Sequence, residues 1–109
     1  MIRYVVVLRR CDGVDRAAFL KAWLGEHLTL ARALPGVRMV AFHPTVDDED
    51  VHDGVGYLEF SSEADLRECL MTEEARRLRE HTATFADPES AIRVVVDTTT
   101  GRSWAKTDA

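Results

Sequence analysis

The sequence of 109 residues has the length of one domain, and its hydrophobic fraction of 46% is ordinary for a globular protein. The formal net charge of −5 argues against a nucleic-acid partner and against an anionic membrane surface, because phosphate binding needs clustered lysines and arginines. The first apolar run is too short for a secretory signal and no stretch approaches the ~20 apolar residues of a membrane span, so we expect a cytoplasmic protein.

The N-terminal segment predicts a strand with two apolar faces. β-Branched and aromatic side chains dominate residues 2–10. Alternate residues from Ile2 to Leu8 form one apolar face, and Val5 and Val7 form the other. A strand that is apolar on both faces is usually covered on both, so we expect this strand to be central in its sheet.

A long helix is predicted after the first strand. Asp15 can cap its first turn, because a carboxylate accepts hydrogen bonds from the free backbone N–H groups there. The helix should span about residues 16–34, where Pro35 and Gly36 end it.

A hairpin with a long acidic loop is predicted next. Residues 37–43 and 54–60 have the composition of strands, and residues 44–53 connect them. The carboxylates from Asp47 to Asp53 match no EF-hand spacing, so we expect a solvated loop rather than a cation site. The acidic loop also argues against an anionic substrate that enters from its side.

The second helical region predicts two short helices or one kinked helix, because its apolar periodicity changes phase near residues 71–72. Ser62 and Thr72 are suitable N-caps. Residues 87–88 end this region, and residues 91–97 predict a fourth strand with apolar residues on both faces.

The element order β-α-β-β-α-β is the ferredoxin-like α+β motif, with an antiparallel sheet and helices on one face. The apolar residues on the other face need a cover, and a second copy of the chain can supply it, so we expect a sheet-to-sheet homodimer. The domain should span residues 1–98. Residues 99–109 form a polar tail, in which Trp104 is an apolar exception that could pack on the body or on a partner.

His27 is the most unusual residue of the predicted core. On a helical wheel it falls in the middle of the apolar face, between Trp23 and Ala31. One interpretation is a structural histidine with a single hydrogen-bond partner. The other is a cavity-lining histidine whose pKa is lowered by burial and which acts as a general base. The wheel does not separate the two.

Weaker candidates for substrate binding are Trp23, Tyr4, Tyr57 and His43, each of which could equally be a core or surface residue. We assign no role to His52 or to His81. The sequence has no glycine-rich phosphate loop, no defensible Ser-His-Asp arrangement and no metal-ligand spacing, so we expect neither a metal nor a cofactor.

The two cysteines have no metal-binding or redox spacing. Cys11 and Cys69 are far apart in the sequence, and free thiols in a reducing cytoplasm are the plainest interpretation, although a disulfide is not excluded.

Over residues 2–97 the sequence resembles the EthD family of the dimeric α+β barrel superfamily. The matching motifs are Leu8-Arg9-Arg10, Phe19-x-x-x-Trp23-x-x-x-His27, Leu34-Pro35-Gly36 and Phe85-x-Asp87. The resemblance implies the ferredoxin-like fold, the homodimer and a pocket between sheet and helices. The histidine of the family's first helix falls on His27, and Phe85 joins the substrate-binding candidates.

The resemblance also implies a range of activities. Several EthD-like proteins act on small lactones or aromatic polyketides as isomerases, cyclases, dehydratases or decarboxylases without metal or organic cofactor, and many members have no known activity. We therefore expect a cofactor-free enzyme that acts by proton transfer on a lactone- or polyketide-like substrate, with His27 as general base. One alternative is a non-catalytic ligand-binding or accessory protein of a degradation or biosynthetic pathway. A second is a cofactor-free monooxygenase, since the superfamily includes quinol and anthrone monooxygenases.

Overall fold

Four strands form one antiparallel sheet in the order β2-β3-β1-β4 in the computed structural model, which describes residues 1–107. The strands are β1 (Ile2–Leu8), β2 (Met39–Pro44), β3 (Gly54–Phe60) and β4 (Ile92–Asp97). As predicted, β1 is central, since it pairs with β3 on one side and with β4 on the other. The antiparallel ferredoxin-like α+β fold is confirmed.

The helices pack against one face of this sheet. They are α1 (Arg16–Ala22), a π-helical turn (Trp23–His27), α2 (Leu28–Arg32), α3 (Glu63–Leu70) and α4 (Glu73–Thr82). The second helical region therefore consists of two separate helices. Among the described residues, no helix is long and apolar enough to cross a membrane.

Side-chain caps begin three of the helices. The side-chain oxygens of Asp15, Ser62 and Thr72 each accept a hydrogen bond from the backbone N–H three residues later, at 2.8, 3.1 and 3.2 Å. These bonds satisfy N–H groups that have no partner within the helix. All three predicted caps are confirmed.

The first helical segment departs from the predicted regular α-helix over residues 16–34. Its middle is the π-helical turn, and the last α-helical residue is Arg32. Gly25, a weak helix former, lies at the centre of the turn. Apolar spacing defines which side of a helix is buried, but it is too coarse to reveal a single turn that is wider than its neighbours.

The prediction that Asp53 lies in a solvated loop is wrong, because its side chain is buried. Its side chain accepts a hydrogen bond from the backbone N–H of Arg10 at 2.8 Å. Its other oxygen lies 3.5 Å from the guanidinium groups of Arg10 and Arg16. A buried carboxylate needs such partners, and Asp53 thereby joins the start of β3 to the segment after β1.

The outer face of the sheet, opposite the helices, is largely apolar where β1 and β4 meet. Val5 pairs with Val94, and Val7 pairs with Ile92. The side chains of β4 are exposed in the single chain, and Val94 is 46% exposed. The predicted bare apolar face is therefore present.

The segment after β4 has no helix or strand over residues 98–107. Trp104 is 84% exposed and does not pack against the body of the protein. The last two residues of the predicted tail, 108–109, lie outside the described residues.

Candidate functional site

A cavity of about 480 Å³ lies between the helices and the inner face of the sheet. Tyr4, Val6 and Phe42 line it from the strands, and Trp23 and His27 line it from the π-helical turn. Cavities of this size, with apolar walls and a few polar groups, are typical of small-molecule sites.

Two glycines of β3 form the floor beneath Trp23. A Cβ atom on Gly54 would lie 2.2 Å from Cζ3 of Trp23, and one on Gly56 would lie 3.1 Å from Cδ1 of Phe42. The two aromatic rings stack with their centroids 4.9 Å apart and their planes inclined by 12°. Because glycine has no side chain, these rings can lie directly on the strand and form one continuous wall of the cavity.

The π-helical turn directs His27 into the protein, where only 5% of its surface is exposed. Its ring lies 5.8 Å from that of Phe42 and makes an edge contact with Phe85 at 5.1 Å. Burial, and to a lesser degree the charge of neighbouring His81, lowers the pKa of His27 to about 4. His27 is therefore neutral at pH 7 and can accept a proton.

His27 is one end of a line of three polar side chains, in which the two histidine rings share a hydrogen bond and Glu26 lies beside His81. Its Nδ1 lies 3.0 Å from Nδ1 of His81, and Nε2 of His81 lies 3.1 Å from Oε2 of Glu26. The carboxylate of Glu26 beside Nε2 of His81 favours the tautomer of His81 that carries its proton on Nε2 and accepts through Nδ1. His27 then donates from Nδ1, which leaves the lone pair of its Nε2 as the basic position.

Three of the predicted site residues line one cavity and a fourth supports it. Tyr4, Trp23 and His27 lie in the wall. Phe85 is buried behind it and contacts the rings of both His27 and His81.

The other two predicted site residues lie on the opposite side of the sheet. Tyr57 pairs with Val5, and His43 pairs with Val55, so both side chains point to the outer face. Their rings make an edge contact at 5.8 Å, and the guanidinium of Arg3 lies 5.7 Å from the centre of the Tyr57 ring. The structure does not bring them together with His27.

Sequence reasoning missed His81 and Glu26. Helical spacing gives a signal for His81, because it lies three residues after Leu78, which lines the cavity, and four before Phe85. No comparable signal exists for Glu26, whose side chain is 73% exposed. Its role depends on α4 bringing His81 against the π-helical turn from a distant part of the chain.

Cys69 contributes a thiol to the cavity wall. Burial, with a smaller contribution from Glu74, raises its pKa, so the thiol is protonated at neutral pH. Within residues 1–107, no group of three or more His, Cys, Asp or Glu side chains is arranged to hold a metal ion.

No protein-family profile and no curated protein matches the chain. Solved structures do match. An EthD family protein from Bacillus halodurans has 17% identity and a TM-score of 0.74, with 89% of this chain and 98% of that chain covered. A dimeric protein of unknown function and ferredoxin-like fold from Bacteroides fragilis has 14% identity and a TM-score of 0.69, covering 88% and 94%.

A third similar structure is a cofactor-independent oxygenase from Streptomyces nogalater, with 10% identity and a TM-score of 0.67, covering 94% of each chain. The TM-scores establish that the fold is shared, whereas sequence identities this low leave the activity open. At the level of the fold, the predicted resemblance to the EthD family is confirmed: the chain has the ferredoxin-like fold of an EthD family protein.

Proposed function

We propose that this chain is a cytoplasmic, cofactor-free enzyme that binds a small, mostly apolar cyclic molecule in the cavity and moves a proton on it. The observation that carries the proposal is the line His27–His81–Glu26, which ends in a neutral, buried imidazole beside an apolar cavity. The substrate class, a lactone or an aromatic polyketide, comes from the resemblance of the sequence to the EthD family.

In the proposed reaction, Nε2 of His27 takes a proton from a carbon next to a carbonyl group, and an enolate forms. The Nδ1 proton of His27 can pass to Nδ1 of His81, and the carboxylate of Glu26 stabilises the resulting imidazolium. The proton then returns through His27 to another atom of the substrate, so the step is an isomerisation or cyclisation without net proton change. In this mechanism the positive charge ends on His81, beside Glu26, and not on the buried ring of His27.

The proposal is tested by following deuterium incorporation from D₂O into 1-tetralone and into a β,γ-unsaturated butenolide. We expect wild type to catalyse exchange next to the carbonyl and His27→Gln to lose it by about 10²-fold or more. His43→Gln, on the outer face, is the matched control and should keep the wild-type rate. Exchange that survives His27→Gln would remove His27 from the mechanism.

A binding protein without chemistry is the second candidate. It is favoured by the mostly apolar wall and by the hydrogen bond that His27 already makes with His81. Binding of either compound without exchange, and with equal affinity in His27→Gln, would support this function. A cofactor-free monooxygenase is a third, motivated by the fold shared with the Streptomyces nogalater protein, and oxygen consumption with a hydroquinone would identify it.

We also propose that the outer face of the sheet pairs with a second copy of the chain. The support is its exposed apolar surface on β4, where Ile92, Val94 and Val96 lie side by side. The similar structure from Bacteroides fragilis is dimeric. This pairing does not use the cavity walls, since the cavity is lined by the helices and by the inner face of the sheet.

A further inference from the structure

Besides the titratable groups already described, two arginines are the only charged residues within residues 1–107 that line the cavity. Arg79 lies on α4 and Arg93 lies on β4 opposite Val6. No aspartate or glutamate of the described chain contributes to this wall. The wall thus combines apolar side chains with two guanidinium groups and with no carboxylate of residues 1–107.

Neither arginine is neutralised by a carboxylate of residues 1–107. Arg79 donates from Nη1 to the backbone carbonyl of Leu70 at 3.2 Å, which holds the guanidinium in place without cancelling its charge. By contrast, Arg3 pairs with Glu59 at 2.8 Å. In a chain with net charge −5, two cavity arginines without an ion pair to a carboxylate of residues 1–107 favour an anionic group at this site.

Both arginine side chains are largely exposed although they line the cavity. Long basic side chains commonly lay their methylene groups along an apolar wall and keep the charged group in water. The guanidinium groups of Arg79 and Arg93 therefore belong to the mouth of the cavity. Guanidinium matches the planar geometry of a carboxylate and can bind it through two parallel hydrogen bonds.

We propose that the ligand of this cavity is an organic acid, with an apolar ring body against Trp23 and Phe42 and a carboxylate at the mouth that pairs with Arg79 and Arg93. This inference rests on the cavity of the proposed function but does not require the proton transfer. The expected class of ligand is therefore an amphipathic monoanion and no longer any small cyclic molecule.

The acidic loop does not oppose such a ligand. Glu49, Asp50 and Val51 line a separate cleft together with residues 9–14, away from the cavity of His27. The expectation that the loop disfavours an anionic substrate therefore applies only to the side of the molecule that carries this cleft.

The test compares 2-naphthoate with 2-naphthamide, which has nearly the same shape and no charge, by isothermal titration calorimetry at neutral pH. In wild type we expect naphthoate to bind about tenfold more tightly, with a preference that falls as salt is raised. Arg79→Gln and Arg93→Gln should each reduce this preference, and the double variant should abolish it. Arg32→Gln is the matched control, because Arg32 also lacks an ion pair within residues 1–107 but does not line the cavity.

Three results would overturn the inference: equal binding of the two compounds to wild type, a preference that survives in the double variant, or no binding of either compound. The melting temperature of each variant verifies that it is folded. His27→Gln should keep the preference, since neutral His27 adds no charge at pH 7. A wild-type protein that catalyses no deuterium exchange but still prefers naphthoate would therefore contradict the proton transfer and leave this inference standing.

Discussion

His27 combines two features that oppose each other energetically. It is buried against Phe42 and Phe85, which disfavours its charged form, yet it stays bonded to a second titratable group, His81. At a core position that served packing alone, an apolar side chain would be more stabilising than an imidazole. An imidazole at this buried position therefore favours a functional role, and it has a measurable consequence for stability.

The first prediction concerns the pH dependence of stability. In the unfolded chain His27 binds a proton near pH 6.5, whereas in the folded chain it does so only near pH 4. Acidification between these values therefore favours unfolding, and His27 should cost about 2 kcal/mol of stability between about pH 7.5 and about pH 5. Urea denaturation at both pH values measures this loss. We expect it to be much smaller in His27→Gln and unchanged in His52→Gln, a loop histidine; an equal loss in all three proteins would contradict the burial of a neutral His27.

The second prediction separates two roles of His81. His81→Gln keeps an acceptor for the Nδ1–H of His27 but cannot take its proton, and His81→Leu removes both abilities. Because the mechanism passes the proton to His81, both variants should exchange deuterium about 10²-fold more slowly, with ligand binding preserved. If His81→Gln retained the wild-type rate, His81 would only orient His27 and no proton would pass between the rings.

At the scale of elements, the site depends on the contact of the π-helical turn with β3. The wider turn places both Trp23 and His27 in the buried face, and β3 offers Gly54 and Gly56 where the indole approaches. π-Helical turns are frequent at functional sites because they redirect a few side chains without breaking the helix. The glycines make the close approach of helix to sheet sterically possible.

The third prediction tests this contact. The added methyl group of Gly54→Ala would overlap the Trp23 ring, which is 1% exposed and stacked on Phe42, so it cannot move freely. We expect a loss of about 1–3 kcal/mol in the free energy of unfolding, measured by urea denaturation, and weaker ligand binding. Gly101→Ala, whose new Cβ would meet nothing closer than 3.8 Å, should change stability by less than about 0.5 kcal/mol. Equal stability of the two variants would mean that the indole does not rest on β3.

At the scale of the whole molecule, the sheet has one face under the helices and one face bare. Helix packing supplies the core and the cavity, and the bare face exposes the apolar side chains of β4. Such a surface in water is a common signature of an interface. The cavity and the proposed interface lie on opposite faces of the sheet, so changes to one can be made without touching the other.

The fourth prediction is that wild type sediments as a dimer and that Val94→Lys shifts it to a monomer. A lysine at the centre of the outer face would place a charge in the apolar contact, which is costly when it has no partner. The control is Leu24→Lys on the helical side, because Leu24 is 41% exposed and Val94 is 46% exposed. A monomeric wild type, or a dimeric Val94→Lys protein, in analytical ultracentrifugation would reject this face as the interface.

The fold and half of the site could be predicted from the sequence because they depend on local interactions. Capping by Asp15, Ser62 and Thr72 acts within one helical turn, and alternation along β1 acts within one strand. The inward position of His27 follows from the same periodicity. These local features predict the ferredoxin-like order, the two-faced sheet and the buried position of His27.

The surroundings of His27 depend on contacts between distant parts of the chain. The hydrogen bond from His27 to His81 joins residues 54 apart, and the strand register sends Tyr57 and His43 to the outer face while Tyr4 enters the cavity. Periodicity says that a side chain is buried, but the identity of its neighbour depends on how helices and strands from distant parts of the chain pack together. Local sequence patterns therefore predict the fold and the candidate base, whereas the packing of α4 against the π-helical turn supplies the hydrogen-bond partner of His27.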